Sequence, residues 1–369
     1  MKNQLLLSDI VRFFESQAPA ALQESYDNSG LQTGDPAQVI SAALLTLDVT
    51  EEVLEEALQK GANLIISHHP LIFGGIKRIT GATPVERILI KAIRHQVALL
   101  AVHTNLDNVS GGVNAKIAEK LGLVDCHILQ PSEGKLHKLV TFVPTEYLEP
   151  VRQAVFNAGG GHIGNYDQCS FNLEGTGTFR GNDQTKPFAG EPGKLHFEKE
   201  VRFETIFPSW LEAGIIKALL EAHPYEEVAC DIYPLKNRLE SSGAGMVGNL
   251  VTPVDENSFL KSLKESFKVP VIRHSPLRGK PVSRVALCGG AGSFLMKEAV
   301  AAGADLFLSG DFKYHQFFEP AGKIVIADIG HFESEQFTKE LFYELLTKKF
   351  PTFAVHLSEV NTNPVAYYF

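Results

Sequence analysis

The sequence predicts an α/β protein in which a duplicated α/β metal-binding unit, contributed by both ends of the chain, is interrupted by a ferredoxin-like α+β domain. Three observations predict it. Apolar strand-like runs alternate with helix-length amphipathic stretches in the outer thirds. Those outer thirds resemble each other, and the middle changes to short β segments separated by glycine-rich turns. The expected limits are 1–130 for the first half of the outer unit, 131–235 for the insert and 236–369 for the second half. A chain of 369 residues exceeds one typical domain and suits two or three cores.

The opening segment, MKNQLLLSDIVRFFESQ, has a short apolar run that Asp9 and Glu15 interrupt, and no small-residue cleavage site follows. It reads as an amphipathic first helix rather than a secretory signal. From Val39 an apolar strand ends near LTLDVT, a helix follows in EEVLEEALQKG, and a second strand, NLIIS, runs into His68 and His69. Past a loop with Gly74 and Gly75, the helix PVERILIKAIRH leads to the strand VALLAVH, which ends in HTNLD. Such alternation predicts a mainly parallel sheet with functional groups at the carboxyl ends of its strands.

In the middle, KLVTFVP, YDQCSFNLEG, EKEVRFETIFP and VACDIYPL read as strands, and YLEPVRQAVFNAG and WLEAGIIKALLEAH as helices. The resulting β-α-β-β-α-β order is that of a ferredoxin-like sandwich, and Pro131 and Pro234 mark plausible joints. The last third returns to the first pattern with RVALCGG, SFLMKEAVAAG, ADLFLSGD and KIVIADIGH. Aligning GANLIISHHPLIF (61–73) with GADLFLSGDFKYH (303–315) matches Gly, Ala, Leu and Ser at the same offsets, as an internal duplication would.

Composition excludes several classes. Hydrophobic and charged fractions of 44% and 21% are those of an ordinary globular protein. A net charge of −9 disfavours a nucleic-acid surface, which needs clustered Lys and Arg. No run approaches the ~20 apolar residues that cross a bilayer. Cys126, Cys169, Cys230 and Cys288 form no CxxC pair, which argues against a zinc ribbon or a disulfide framework and fits a reducing cytoplasm.

Candidate metal ligands lie at strand ends. His68 and His69 are adjacent, so they can turn toward different ions, although two neighbouring histidines are often only turn residues. Asp107 follows a strand expected to lie beside theirs, and its alternative use is to bond backbone amides in the HTNLDN turn. His331 and Glu335 are spaced i, i+4 and share one helix face; Glu335 could instead complement the helix N-terminus and His331 sit in its cap. Together the five residues offer three imidazoles and two carboxylates. That exceeds the three protein ligands of a single catalytic zinc, so two divalent ions sharing a carboxylate fit better. Zinc, iron and manganese all suit such donors.

Asp48, His103, Asp311 and His315 lie near the same strand ends. His103 is the tentative catalytic residue, able to move a proton beside bound water, or else a partner that orients Asp107. The CGGAGS turn at 288–293 lacks the full GxGxxG spacing and any Walker lysine, so phosphate anchoring there is disfavoured. AGGGHIG at 158–164 reads as a turn that needs positive φ.

The motifs HHPLIF, HTNLD, SGDFKYH and GHFESE resemble those of the GTP cyclohydrolase 1 type 2 homologues, also called NGG-interacting-factor-three-like proteins. The resemblance spans the chain. IGNYDQCSF, GTGTF and AHPYEEVACDIYPL are similar to the extra domain of the longer bacterial members, itself similar to P-II and CutA-type folds. The resemblance implies His68 and Asp107 on one ion, His69 and His331 on the other, and Glu335 bridging. It also implies a toroidal homohexamer, a small-molecule substrate or ligand, and hydrolysis by metal-activated water. One departure stands in SYDNSGL, where Tyr26 replaces the usual Trp. The rival function is a non-catalytic, metal-dependent binding or regulatory protein.

Overall fold

In a computed structural model, which describes residues 4–368, the chain divides into two compact units, Met1–Gln130 with Ser241–Phe369, and Pro131–Glu240. The first stretch contains α1 (Leu7–Gln17), β1 (Gly30–Thr33), β2 (Ala42–Thr46), α2 (Glu51–Gln59), β3 (Leu64–Ser67) and α3 (Pro84–Arg94). It continues with β4 (Ala98–Ala101), α4 (Thr104–Asp107), α5 (Val113–Lys120) and β5 (Leu123–Ser132). The middle holds β6 (Leu136–Pro144), α6 (Leu148–Asn157), β7 (Phe171–Phe179), β8 (His196–Pro208), α7 (Glu212–Ala222) and β9 (Cys230–Leu235). The last stretch holds β10 (Leu239–Val254), α8 (Glu256–Ser266), β11 (Arg273–His274), β12 (Val282–Leu287) and α9 (Met296–Ala301). It ends with β13 (Leu306–Ser309), β14 (Val325–Asp328), α10 (His331–Glu335), α11 (Thr338–Lys349) and β15 (Ala354–Leu357).

The larger unit contains two sheets, ordered β1-β4-β3-β2-β15 and β11-β14-β13-β12-β10-β5. Strands β2, β3 and β4 are parallel neighbours, and so are β12, β13 and β14. An antiparallel strand closes one edge of each triplet, β1 beside β4 and β11 beside β14. Near-continuous apolar runs such as AALLT and LIIS suit strands covered on both faces. β15, from the end of the chain, pairs with β2, while β5, from the first third, lies in the other sheet beside β10.

Period-two alternation assigns each strand's faces. Ala43 and Leu45 join a core that also takes Phe14 of α1, Ile117 of α5, Leu263 of α8, Phe342 of α11, and Leu306 and Leu308 of the second sheet. Leu44, Ile65 and Leu99 face the opposite way, toward Val53 and Leu54 of α2 and Leu89 of α3. Ala286, Phe307 and Ile326 likewise pack with Met296 and Ala299 of α9. Helices therefore lie between the two sheets and outside each of them. Helix starts follow local chemistry: the Thr50 hydroxyl accepts from Val53 N, and Thr83 accepts from Glu86 N with Pro84 in the first turn.

The middle unit is one antiparallel sheet, ordered β7-β8-β6-β9. Val151 and Val155 of α6 and Ile215 and Leu219 of α7 cover one face, through Leu139, Val143, Phe203 and Phe207. Phe171 and Leu173 of β7 are exposed. The AGGGHIG segment does need positive φ, at Gly159, Gly161 and Gly164. Among the described residues, no helix is long and apolar enough to cross a membrane.

Candidate metal centre

Pairing register brings the strand ends of the larger unit together. Thr46 pairs with Ser67 and Ser67 with Ala101, so the residues that follow β2, β3 and β4 emerge side by side. His68 Nδ1 hydrogen-bonds the Val102 carbonyl at 3.0 Å, and His69 Nδ1 bonds Asp48 Oδ1 at 2.7 Å. In the other sheet Ser309 pairs with Asp328. His331, just past β14, places Nδ1 2.7 Å from Asp311 Oδ2, just past β13. A ring whose Nδ1–H donates to an oxygen keeps the Nε2 lone pair for a cation.

Glu335, one helical turn beyond His331 on α10, reaches the Nε2 atoms from both sheets. Its Oε2 lies 3.1 Å from His69 Nε2 and 3.2 Å from His331 Nε2, and its Oε1 lies 3.7 Å from His68 Nε2. Asp107 Oδ1 is 3.6 Å from His68 Nε2, and the Nε2 atoms of His69 and His331 are 3.4 Å apart. All five expected ligands therefore converge. Glu335 is 2% exposed and His68 fully buried; His68 Nε2 and Asp107 Oδ1 lack hydrogen-bond partners, and Glu335 Oε2 has ion-pair contacts to His69 and His331 but no aligned hydrogen bond. Such orphaned buried polar atoms are costly without a partner, and a cation is the partner this donor set suits. The clusters His69, His331, Glu335 and His68, His69, His103 each have the spacing to hold a metal ion.

Protons take up the charge when no cation is present. Burial raises the Asp107 carboxyl, and the negative charge of Glu335 adds to this, pushing it up to about 8. Burial opposes an imidazolium at His69, but Asp48 and Glu335 outweigh it and push its pKa up to about 10. His331 is likewise opposed by burial, yet Glu335 and Asp311 raise it to about 9. Burial would also raise Glu335, but the surrounding histidines, His68 foremost, hold it well below the usual carboxylate range.

The His103 ring meets those of His68 and His69 edge-on, with centroids 5.1 Å and 5.2 Å away. Its Nδ1 partner is Asp27, at 2.8 Å, rather than Asp107. Asp27 also accepts from Thr104 N, Thr104 Oγ1 and Ser29 Oγ, which starts the single helical turn α4 where the sequence reads as a plain turn. His315 is exposed, meets the Tyr314 ring edge-on and takes no part in either cluster. Tyr26 is exposed as well.

The CGGAGS turn serves the centre differently from a phosphate loop. Gly289 N donates to Asn114 Oδ1, Gly290 N to Ser334 Oγ and Gly292 N to Ser309 Oγ, so these amides are already used. Gly290 has φ +62°, and a Cβ there would stand 2.3 Å from Glu335 Oε1. This glycine makes room for the carboxylate. Beside the centre lies a cavity of about 380 Å³, lined among others by His69, His331, Arg273, Glu333 and Tyr367.

Comparison with known proteins agrees across the chain. The model of the Duf34/NIF3 (NGG1p interacting factor 3) family matches residues 5–364. The GTP cyclohydrolase 1 type 2 homolog of Halalkalibacterium halodurans is 39% identical over 363 residues, 97% of this chain and 98% of that protein. The one from Bacillus subtilis is 39% identical over 365 residues, 97% of each. A crystal structure of a Bacillus cereus protein related to NIF3 superposes with a TM-score of 0.85 at 38% identity, covering 100% of both chains. A Staphylococcus aureus protein does so with a TM-score of 0.79 at 27% identity, again over 100% of both. The chain belongs to the Duf34/NIF3 family.

Proposed function

We propose that this protein is a dimetal-dependent hydrolase acting on a nucleotide or a related small molecule. What carries this proposal is the buried, unpartnered His68 Nε2 and Asp107 Oδ1 facing one oxygen of Glu335, whose other oxygen faces His69 and His331. His68 and Asp107 would hold one cation, His69 and His331 the other, and Glu335 both; zinc, iron and manganese suit this donor set. A bound pair of divalent cations supplies Lewis acidity and makes water a better acid. The remaining work falls to the chain. Val102, Asp48 and Asp311 fix the three imidazoles, and His103, held by Asp27 beside His68 and His69, is placed to accept a proton. The neighbouring cavity has room for a small substrate, and Arg273 on its wall is ion-paired with Asp328.

Relatives named GTP cyclohydrolase 1 type 2 homolog make GTP the first substrate to try. Zinc-, manganese- and iron-loaded protein should be incubated with GTP, other nucleotides and phosphoesters, with formate and phosphate release followed separately. The expected result is metal-dependent release of one product, lost in His69→Ala. Tight binding without turnover under every metal would instead establish a binding protein.

The architecture is proposed on similar grounds. The β-α-β-β-α-β order of the middle unit supports a ferredoxin-like, P-II/CutA-like domain near 131–235. The two parallel triplets, each with an antiparallel edge strand, support duplication of the outer thirds. A cytoplasmic homohexameric toroid is consistent with four free cysteines and with the exposed Phe171 and Leu173. Light scattering is expected to return a closed oligomer, and a monomer at micromolar concentration would remove the ring.

A further inference from the structure

The motif GTGTF, residues 175–179 of β7, has no part in the metal centre, and neither does the HPYEE turn after α7. Both line a cavity of about 690 Å³ in the middle unit. Gly175 pairs across the sheet with Glu200 of β8, and Gly177 with Glu198. A Cβ at Gly177 would stand 1.9 Å from Glu200 Oε2, so the absence of a side chain there lets the Glu200 carboxylate lie over β7.

Glu200 is only 8% exposed. Its Oε1 accepts from the Tyr225 hydroxyl at 2.7 Å, and among the described residues no Lys, Arg or His forms an ion pair with it. A buried carboxylate with a single neutral donor is poorly compensated. Aromatic rings stand around the same space: Phe179 and Phe188 lie 5.7 Å and 6.0 Å from Tyr225, centroid to centroid. The lining adds Glu174, Glu226 and Glu227 against Arg180 and Arg202, and the Arg202 guanidinium is engaged by Glu204 at 2.6 Å. The cavity is thus net acidic and partly aromatic.

We propose that this cavity binds a small organic ammonium ion, with Glu200 as its counter-charge and Phe179, Phe188 and Tyr225 as its walls. An anion would meet an excess of carboxylates, and a neutral apolar ligand would leave Glu200 uncompensated. An ammonium ion gains a charge-assisted hydrogen bond from the carboxylate and cation–π attraction from the rings.

Isothermal titration of the full chain with benzylamine, protonated at neutral pH, and with its uncharged analogue benzyl alcohol tests this. Benzylammonium should bind in the micromolar to millimolar range, about tenfold or more tighter than the alcohol. Glu200→Gln should abolish that preference, and Gly177→Ala should weaken benzylammonium by displacing the carboxylate. Metal content, followed in parallel, should not change. Equal binding of the two probes, no binding of benzylammonium at millimolar concentration, or unaltered binding in a folded Glu200→Gln variant would each overturn the proposal. Should circular dichroism show that variant unfolded, the discrimination by the native chain decides alone.

Discussion

Glu335→Gln is expected to strip metal from both positions at once. The substitution keeps the volume of the side chain but removes the charge shared between His68 on one side and His69 and His331 on the other. It also leaves an amide among donors already short of partners. Residues that merely orient a ligand typically cost ten- to a hundredfold in affinity when lost, so losing a shared ligand should cost more than about a hundredfold. Elemental analysis would then find close to no metal in the purified variant. Asp48→Asn, which alters the contact to the ring of His69 and a hydrogen bond from Thr362 Oγ1 but none to His68, should cost about tenfold and spare the ion at His68. A Glu335→Gln protein with the metal content of its parent would remove the carboxylate from the site.

The second large effect concerns protons. In the metal-free protein Asp107, His69 and His331 titrate at about 8, 10 and 9, so all three hold protons at neutral pH. Cation binding must displace them, and calorimetry in buffers of different ionisation enthalpy should register release of about two to three protons at pH 7. Stability follows the same sign. Each of these folded-state values lies above the unfolded one, so the folded chain holds more protons than the unfolded chain across roughly pH 4 to 10. Their stabilisation is complete below the unfolded values and is lost as pH rises through the folded ones. The Tm of metal-free protein should therefore fall between pH 7 and 10. In loaded protein these groups carry no protons to lose, and the gap between the two forms should widen. Parallel pH profiles would contradict this.

Much of the centre was legible because its residues sit where hydrophobic strands end, a boundary that a sequence displays directly. His68, His69 and His331 each stop an apolar run, and the i, i+4 spacing places Glu335 without any tertiary knowledge. The orienting residues were harder to find. Asp48 and Asp311 stood out as polar groups near strand ends, yet their pairing with His69 and His331 depends on which strands are neighbours. Asp27 supports His103 from 76 positions away, a distance over which no periodicity speaks. Gly290 lies in the CGGAGS turn, which the sequence offers only as a disfavoured phosphate anchor, and its demand on Glu335 exists only in three dimensions. The placement of β5 and β15 was hidden for the same reason: an apolar strand reads alike whichever sheet edge receives it.

The most direct test of a two-cation centre is anomalous diffraction at the metal absorption edge from crystals of the loaded protein. The account predicts two peaks per chain, one among His68, Asp107 and Glu335 and one among His69, His331 and Glu335. A single peak, or one held by His68, His69 and His103 with Glu335 outside it, would contradict the account.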